Sequence, residues 1–328
     1  MVEVEMTERV ALTLADGSLN PAAVGWARRP LVDTSGIDGR RGWGRNKRWE
    51  YWCVTTPTHV LALTVSSLDY AAVNEVWVLD RAGAQPSGKA TTTLPARGVE
   101  LPPSLDGGPA RARANGLAID IESSPNATRL RAQIPEVSFD VTVTRPGNQD
   151  CLAVVVPWSK RRFQYTVKDV ALPASGSVTI AGVTHAVPAG ESWAVLDHGR
   201  GRWPYDVRWN WGAGSGRWEG RTIGIQVGGT WTVGSGSTEN GILIDSVLHK
   251  ISAELDWTYD LADWRRPWRV AGGELSATFT PEYNRRARTN LGVISSRTDQ
   301  CFGYWSGTFA DIAFESIFGW AEEVHNRW

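Results

Sequence analysis

The stretch richest in chemistry is Glu191–Trp211, ESWAVLDHGRGRWPYDVRWNW. Its apolar start, Trp193–Leu196, reads as a strand and sets the Asp197 carboxylate at the strand's end. His198, Arg200 and Arg202 follow among glycines, then Trp203, Pro204 and Tyr205, and then Trp209-Asn210-Trp211. An acid, an imidazole and guanidiniums beside aromatic rings are what acid/base catalysis in an apolar cavity needs. Burial raises a carboxyl pKa and a nearby guanidinium lowers it. The balance decides between two roles for Asp197. It is a proton donor, with His198 as the second catalytic candidate, or an anchor that pairs with Arg and pins a glycine-rich turn. Trp203, Tyr205, Trp209, Asn210 and Trp211 are candidate ligand contacts. His198 has no second ligand at a metal-binding spacing, so no metal is expected.

Two other segments carry candidates. Arg45–Trp52, RNKRWEYW, alternates so that in a strand Trp49 and Tyr51 face one side and Glu50 and Trp52 the other. Arg48 is placed to stack on an indole face. The segment is either a pocket rim presenting Arg48, Trp49 and Tyr51, or a plain strand with a solvated basic lead-in. Glu239-Asn240-Gly241 reads first as a hairpin with an Asn-Gly turn, and second as a source of Glu239 and Asn240 for a binding site. Asp245 and His249 read as ordinary strand residues. No phosphate-binding glycine loop and no G-x-S-x-G elbow occurs; GAGSG at 212–216 lacks the lysine and the helix that a phosphate loop needs. No cofactor is expected.

The elements that must position these residues are strands. Alternating or β-branched runs recur at 60–66, 75–79, 117–122, 128–134, 137–144, 152–156, 163–167 and 177–180. They continue at 221–228, 242–244, 249–256, 268–271, 274–279 and 308–314. Turn residues separate them, as at Asp16-Gly17, Asp106-Gly107-Gly108, Pro146-Gly147-Asn148 and Gly272-Gly273. The best helix candidate is Ala310–Val324, interrupted by Gly319; Leu68–Asn74 suggests a short helical turn. Turn-rich Leu172–Gly190 and a crowding of Trp beyond it place a soft boundary near residue 185. No repeat of fixed period is seen, which argues against a propeller or solenoid.

Composition narrows the function. The chain has 328 residues, 34 basic and 35 acidic, for a net charge of −1. That balance argues against a dedicated nucleic-acid binder. Eighteen Trp outnumber the 7 Tyr and the 7 Phe, an aromatic load suited to packing or to apolar ligands. Cys53, Cys151 and Cys301 match no metal spacing and read as buried, reduced thiols. The start, MVEVEMTERV, lacks the basic and apolar regions of an export signal, and no run approaches the roughly 18 apolar residues of a membrane span. The expected location is cytoplasmic, without stable membrane insertion.

The ordered motifs resemble a family. RNKRWEYW at 45–52, SLDYA at 67–71, DHGRGRWPY at 197–205, WNW at 209–211 and STENG at 237–241 are similar to segments of the bacterial DUF2804 proteins. So are DQCFGYWSGTF at 299–309 and GWAEEVHNRW at 319–328. More distantly, the strand entering AVLDHGRG resembles an element of the AttH and carotenoid 1,2-hydratase superfamily, whose members are tandem lipocalin-like β-barrels. That resemblance implies a proton-donor role for Asp197 and cavity roles for Trp203 and Tyr205. The motif departs from the hydratase pattern after His198, where Gly199-Arg200-Gly201 follows.

The expected fold is all-β: two lipocalin-like barrel or sandwich halves, 1–185 and 186–328, with a short C-terminal helix. The expected partner is an apolar small molecule (a lipid, isoprenoid or polyketide-like compound). It is either hydrated, isomerised or cyclised by acid catalysis or held without chemistry. Carbohydrate recognition by Trp platforms is a third reading.

Overall fold

The structure is a computed structural model and describes residues 3–37, 39–290 and 295–327. The alternating runs form two large, curled antiparallel sheets. The first runs from Gln85–Thr93 through Ala72–Asp80, His59–Ser67, Asn46–Thr55 and Trp193–Arg202 to Arg162–Ile180. It continues through Val137–Thr144, Ala127–Ile134, Leu117–Ser123 and Ala110–Ala114 to Val99–Glu100. The second runs from Val247–Ile251 through Asn240–Ile244, Arg221–Gly229, Asp206–Trp218 and Ile312–Arg327 to Ser295–Phe309. Leu275–Asn290, Trp268–Gly272 and Asp256–Thr258 complete it. The likeness to tandem lipocalin-like halves therefore holds at the level of the fold.

Side-chain alternation divides the core into layers. Trp52, Val54, Ala194 and Leu196 pack inside the first half, and Ile225, Trp268 and Trp305 inside the second. A third cluster fills the seam between the halves, with Trp77, Trp203, Trp211, Trp231 and Trp320 among its members. Much of the Trp excess is spent there. The long strand Arg162–Ile180 pairs with Leu152–Ser159 and Trp193–Arg202 over its first part and with Val137–Thr144 and Val183–Val187 over its last. Its register against Trp193–Arg202 shifts between Asp169 and Leu172, and Ala171 there adopts φ +56°. The Ala171 N–H is taken by Ser215 Oγ of the second sheet at 2.9 Å, which ties the bend to the other half.

Several expectations are corrected. Ala310–Val324 is no helix; Ile312–Arg327 is a strand paired on both edges. Gly319 permits a close approach there, since a Cβ on it would lie 2.0 Å from the Ala213 carbonyl oxygen. The suggested helical turn at 68–74 is a hairpin connection, with Asp69 at φ +70° and a strand from Ala72. Asn240-Gly241 opens a strand instead of turning; the turn is Asp245-Ser246, at φ +49° and +75°. Asp245 is thus a turn residue, whereas His249 lies in a strand. The chain leaves the first sheet after Arg202 and enters the second at Asp206, later in sequence than the composition shift near 185. All three cysteines are free and buried. No helix among the described residues is long and apolar enough to cross a membrane.

Candidate functional site

Three strands of the first sheet set one row of polar side chains against the second half. Register pairs Tyr51 with Asp197, and Asp197 with Lys168. Trp49 and Tyr51 share the outward face with Asp197, as strand alternation requires, while Glu50 and Trp52 turn inward. Trp49 lies flat across Gly199, where any Cβ would stand 2.1 Å from the ring.

Asp197 is 8% exposed. Its Oδ2 pairs with Lys168 Nζ at 3.0 Å. Its Oδ1 is buried and accepts no hydrogen bond from any described group. Lys168 Nζ also stands 4.0 Å from the centroid of the Trp211 ring, so the ammonium is shared across the seam. Two further carboxyls complete the cluster from the second half. Glu239 Oε1 accepts from the Thr166 hydroxyl. Glu322 accepts from Trp209 Nε1 at 3.0 Å and from Gln300 Nε2 at 2.9 Å.

Indoles and phenols wall this cluster. Trp203 stacks on Trp231 at 5.6 Å and meets Trp49, Trp158 and Trp209 edge-on. Tyr51 meets Trp211 and Trp320 edge-on at 5.7 and 6.2 Å. Two of the buried indole N–H groups are satisfied by glutamines: Trp203 donates to Gln164 Oε1 at 2.5 Å and Trp211 to Gln226 Oε1 at 2.9 Å, whereas Trp320 Nε1 has no partner among the described residues.

Burial sets the electrostatics. It pushes the Glu322 carboxyl up to about 7, against the Trp209 hydrogen bond and the Lys168 charge. It raises Glu239 too, again against Lys168. Burial alone would depress the Lys168 ammonium, but Asp197, Glu239 and Glu322 together hold it above its ordinary value. The Tyr51 phenol is pushed well up by burial. A carboxyl that keeps its proton longer when folded weakens the fold as pH rises between its unfolded and folded pKa values. Glu322 therefore withdraws stability between about 4.5 and about 7. Glu322→Gln is expected to remove that slope. In urea denaturation at several pH values, the wild type should lose up to ~3 kcal/mol relative to the variant across the window.

The remaining candidates fall elsewhere. His198 is one residue from Asp197 and so faces the opposite way, into the first half, with Nδ1 3.9 Å from Glu50 Oε2. Burial, then Arg200, push its pKa down to about 4. Asp197 and His198 therefore do not act on one ligand together. Burial works to raise Glu50, yet His198 and the Trp52 indole hold it below its ordinary value. Arg48 also points inward and pairs with Asp69 at 2.8 Å. Asn210 faces the interior of the second half, donating to Tyr259 at 3.1 Å and accepting from Thr230 at 2.8 Å. Asn240 ties Gly228 N–H and the Ala253 carbonyl and is an internal strut. Tyr205 is 43% exposed, at the rim, with the Arg45 guanidinium 6.0 Å from its ring centroid. Among the described residues no three His, Cys, Asp or Glu side chains are arranged to hold a metal ion.

The family profile described as "Domain of unknown function (DUF2804)" matches residues 3–328. The chain belongs to the DUF2804 family. A comparison with curated proteins finds no significant match. Among solved structures, this DUF2804 protein is similar to kievitone hydratase from Nectria haematococca, at 12% identity and TM-score 0.55, covering 92% of this chain and 94% of that one. It is similar to a putative AttH from Nitrosomonas europaea, at 10% identity and TM-score 0.53, covering 85% and 92%. It is also similar to CghA, at 9% identity and TM-score 0.53, covering 87% and 89%. At such identities the likeness concerns the fold.

Lys168, Glu322 and Gln300 in the DUF2804 cluster escaped the sequence reading. Glu322 lies in GWAEEVHNRW, but its neighbour Glu323 faces the other way and pairs with Arg297. Lys168 stands in an apolar strand, and a lysine between Val167 and Val170 was the one available signal of a buried charge.

Proposed function

We propose that the protein carries out acid/base chemistry on an apolar small molecule bound in the aromatic seam between its halves. The observation that carries this reading is Asp197 Oδ1. A buried carboxylate oxygen without a partner costs about 1–3 kcal/mol. It lies on the face of the sheet that carries Trp49 and Tyr51, near Glu322, whose carboxyl is raised to about 7. Such an arrangement suits a ligand that supplies the missing hydrogen bond. The hydratase named among the structural neighbours points the same way.

The roles follow from the charges. Asp197, with the Lys168 ammonium on Oδ2, serves as the base and the stabilising anion. The donor role expected of Asp197 from sequence passes to Glu322, the carboxyl raised to about 7. In a hydration, the Glu322 proton adds to one alkene carbon and the other carbon becomes cationic, facing Trp211 and the Asp197 anion. Water adds its oxygen to that carbon and gives a proton to Asp197 Oδ1. Transfer of that proton back to Glu322 restores the resting state. Isomerisation uses the same two groups, with Asp197 removing a proton from carbon in place of water.

Native mass spectrometry of protein purified from its host is expected to show an apolar ligand. Isoprenoids or polyketide-like compounds are expected to quench Trp fluorescence saturably. Repeated recovery of ligand-free protein together with no quenching contradicts the proposal. Saturable binding without conversion of the bound molecule supports sequestration instead.

A further inference from the structure

The interior of the first half ends in a polar floor that the seam chemistry does not use. Three cross-strand pairs follow one another on the inward face: Leu196 with Trp52, His198 with Glu50, and Arg200 with Arg48. The apolar core thus gives way to a buried imidazole and carboxylate, and then to two guanidiniums. Beyond the guanidiniums lies a cavity of about 270 Å³, lined by Arg48, Arg200, Ser67, Val99, Leu101 and Pro102, among others.

The two arginines differ in how their charges are met. Arg48 has its own carboxylate, Asp69 at 2.8 Å, and a further bond to Ser67 Oγ at 3.1 Å. Arg200 is 1% exposed and has only neutral acceptors. Its Nη1 donates to the Trp49 and Gly199 carbonyls at 2.9 and 2.8 Å, and its Nη2 to the Pro102 carbonyl at 2.9 Å. Its Nε has no hydrogen-bond partner. Among the described residues no carboxylate forms an ion pair with Arg200; Glu50 favours its charge from farther off. Buried charges are ordinarily paired; this one borders the cavity and meets only neutral acceptors. The remaining walls are mixed, Ser35 and Ser67 beside an apolar side of Ile37, Val99, Leu101 and the two prolines, and the volume lies at the small end for ligand pockets, about 300 Å³.

We infer that this cavity is a second ligand site, separate from the seam, for a small apolar molecule bearing a carboxylate. The carboxylate takes the unpartnered edge of Arg200, where a planar guanidinium offers two parallel donors. The hydrocarbon part lies against Val99, Leu101 and Pro102. The Trp49 carbonyl held by Arg200 belongs to the residue whose ring borders the seam on the other face of the same strand. The two sites are therefore back to back.

Isothermal titration of the full chain with hexanoate tests the inference, with hexanamide as the neutral isostere. Hexanoate is expected to bind saturably, and hexanamide at least ~10-fold more weakly, the value of a charge-assisted pair. Val99→Trp fills the cavity from its half-buried wall while both arginines are kept, and is expected to weaken hexanoate at least ~10-fold. Its circular dichroism and melting temperature should match the wild type. Absence of saturable hexanoate binding to the wild type overturns the inference. So does equal binding of the amide, or unchanged binding by a folded Val99→Trp protein.

Discussion

Replacing Lys168 with Met is expected to lower the free energy of unfolding by about 3–5 kcal/mol, the usual effect of removing one partner from a buried ion pair. Lys168 is 5% exposed and stands between Asp197 at 3.0 Å and the Trp211 ring at 4.0 Å. Without it, Asp197 is left as a buried anion, and Glu239 and Glu322 lose the cation that offsets their burial. Much of the loss is the cost of the stranded carboxylate and not the worth of the pair. The double variant Lys168→Met/Asp197→Asn is therefore expected to recover most of it. Urea denaturation followed by Trp fluorescence measures both. A single-variant loss below about 1 kcal/mol, the range of an exposed pair, contradicts the description of the cluster. So does a double variant no more stable than the single.

The second large effect is on chemistry. Asp197→Asn is expected to reduce turnover of the seam ligand about 10²–10⁴-fold, the contribution of a positioned acid or base. Asparagine keeps the shape of the side chain, and Lys168 keeps the Glu239 carboxyl and the Trp211 ring as neighbours, so ligand affinity should stay within a few-fold. Single-turnover kinetics with the ligand recovered from the host separates these quantities. Undiminished turnover removes Asp197 from the mechanism. Loss of binding and turnover together assigns it to holding the ligand instead.

The legible part of this protein was local. Period-two alternation identified most strands, and it correctly put Trp49 and Tyr51 on the face opposite Glu50 and Trp52. The same rule should have separated Asp197 from His198. Neighbours in a strand point to opposite faces, so adjacency in sequence does not place Asp197 and His198 in one site. Ile312–Arg327 was misread because it is buried on both faces over Ile317–Val324, so alternation disappears and a helix fits the pattern as well. Asn240-Gly241 has turn chemistry but sits in a strand, where Asn240 is consumed by bonds to Gly228 and Ala253. Glu322 and Lys168 meet only because two sheets pack face to face. That is a long-range arrangement which no spacing along the chain encodes.

The most direct test of the seam as the ligand site is ¹⁹F NMR of protein labelled with 5-fluorotryptophan, its resonances assigned by single Trp→Phe variants. Addition of the apolar ligand recovered from the host should shift the resonances of Trp49, Trp209 and Trp211, which border Asp197, Glu322 and Lys168. Those of Trp264 and Trp268, inside the second half, should stay in place. Shifts confined to Trp264 and Trp268, with Trp49, Trp209 and Trp211 unmoved, would contradict a ligand bound between the halves.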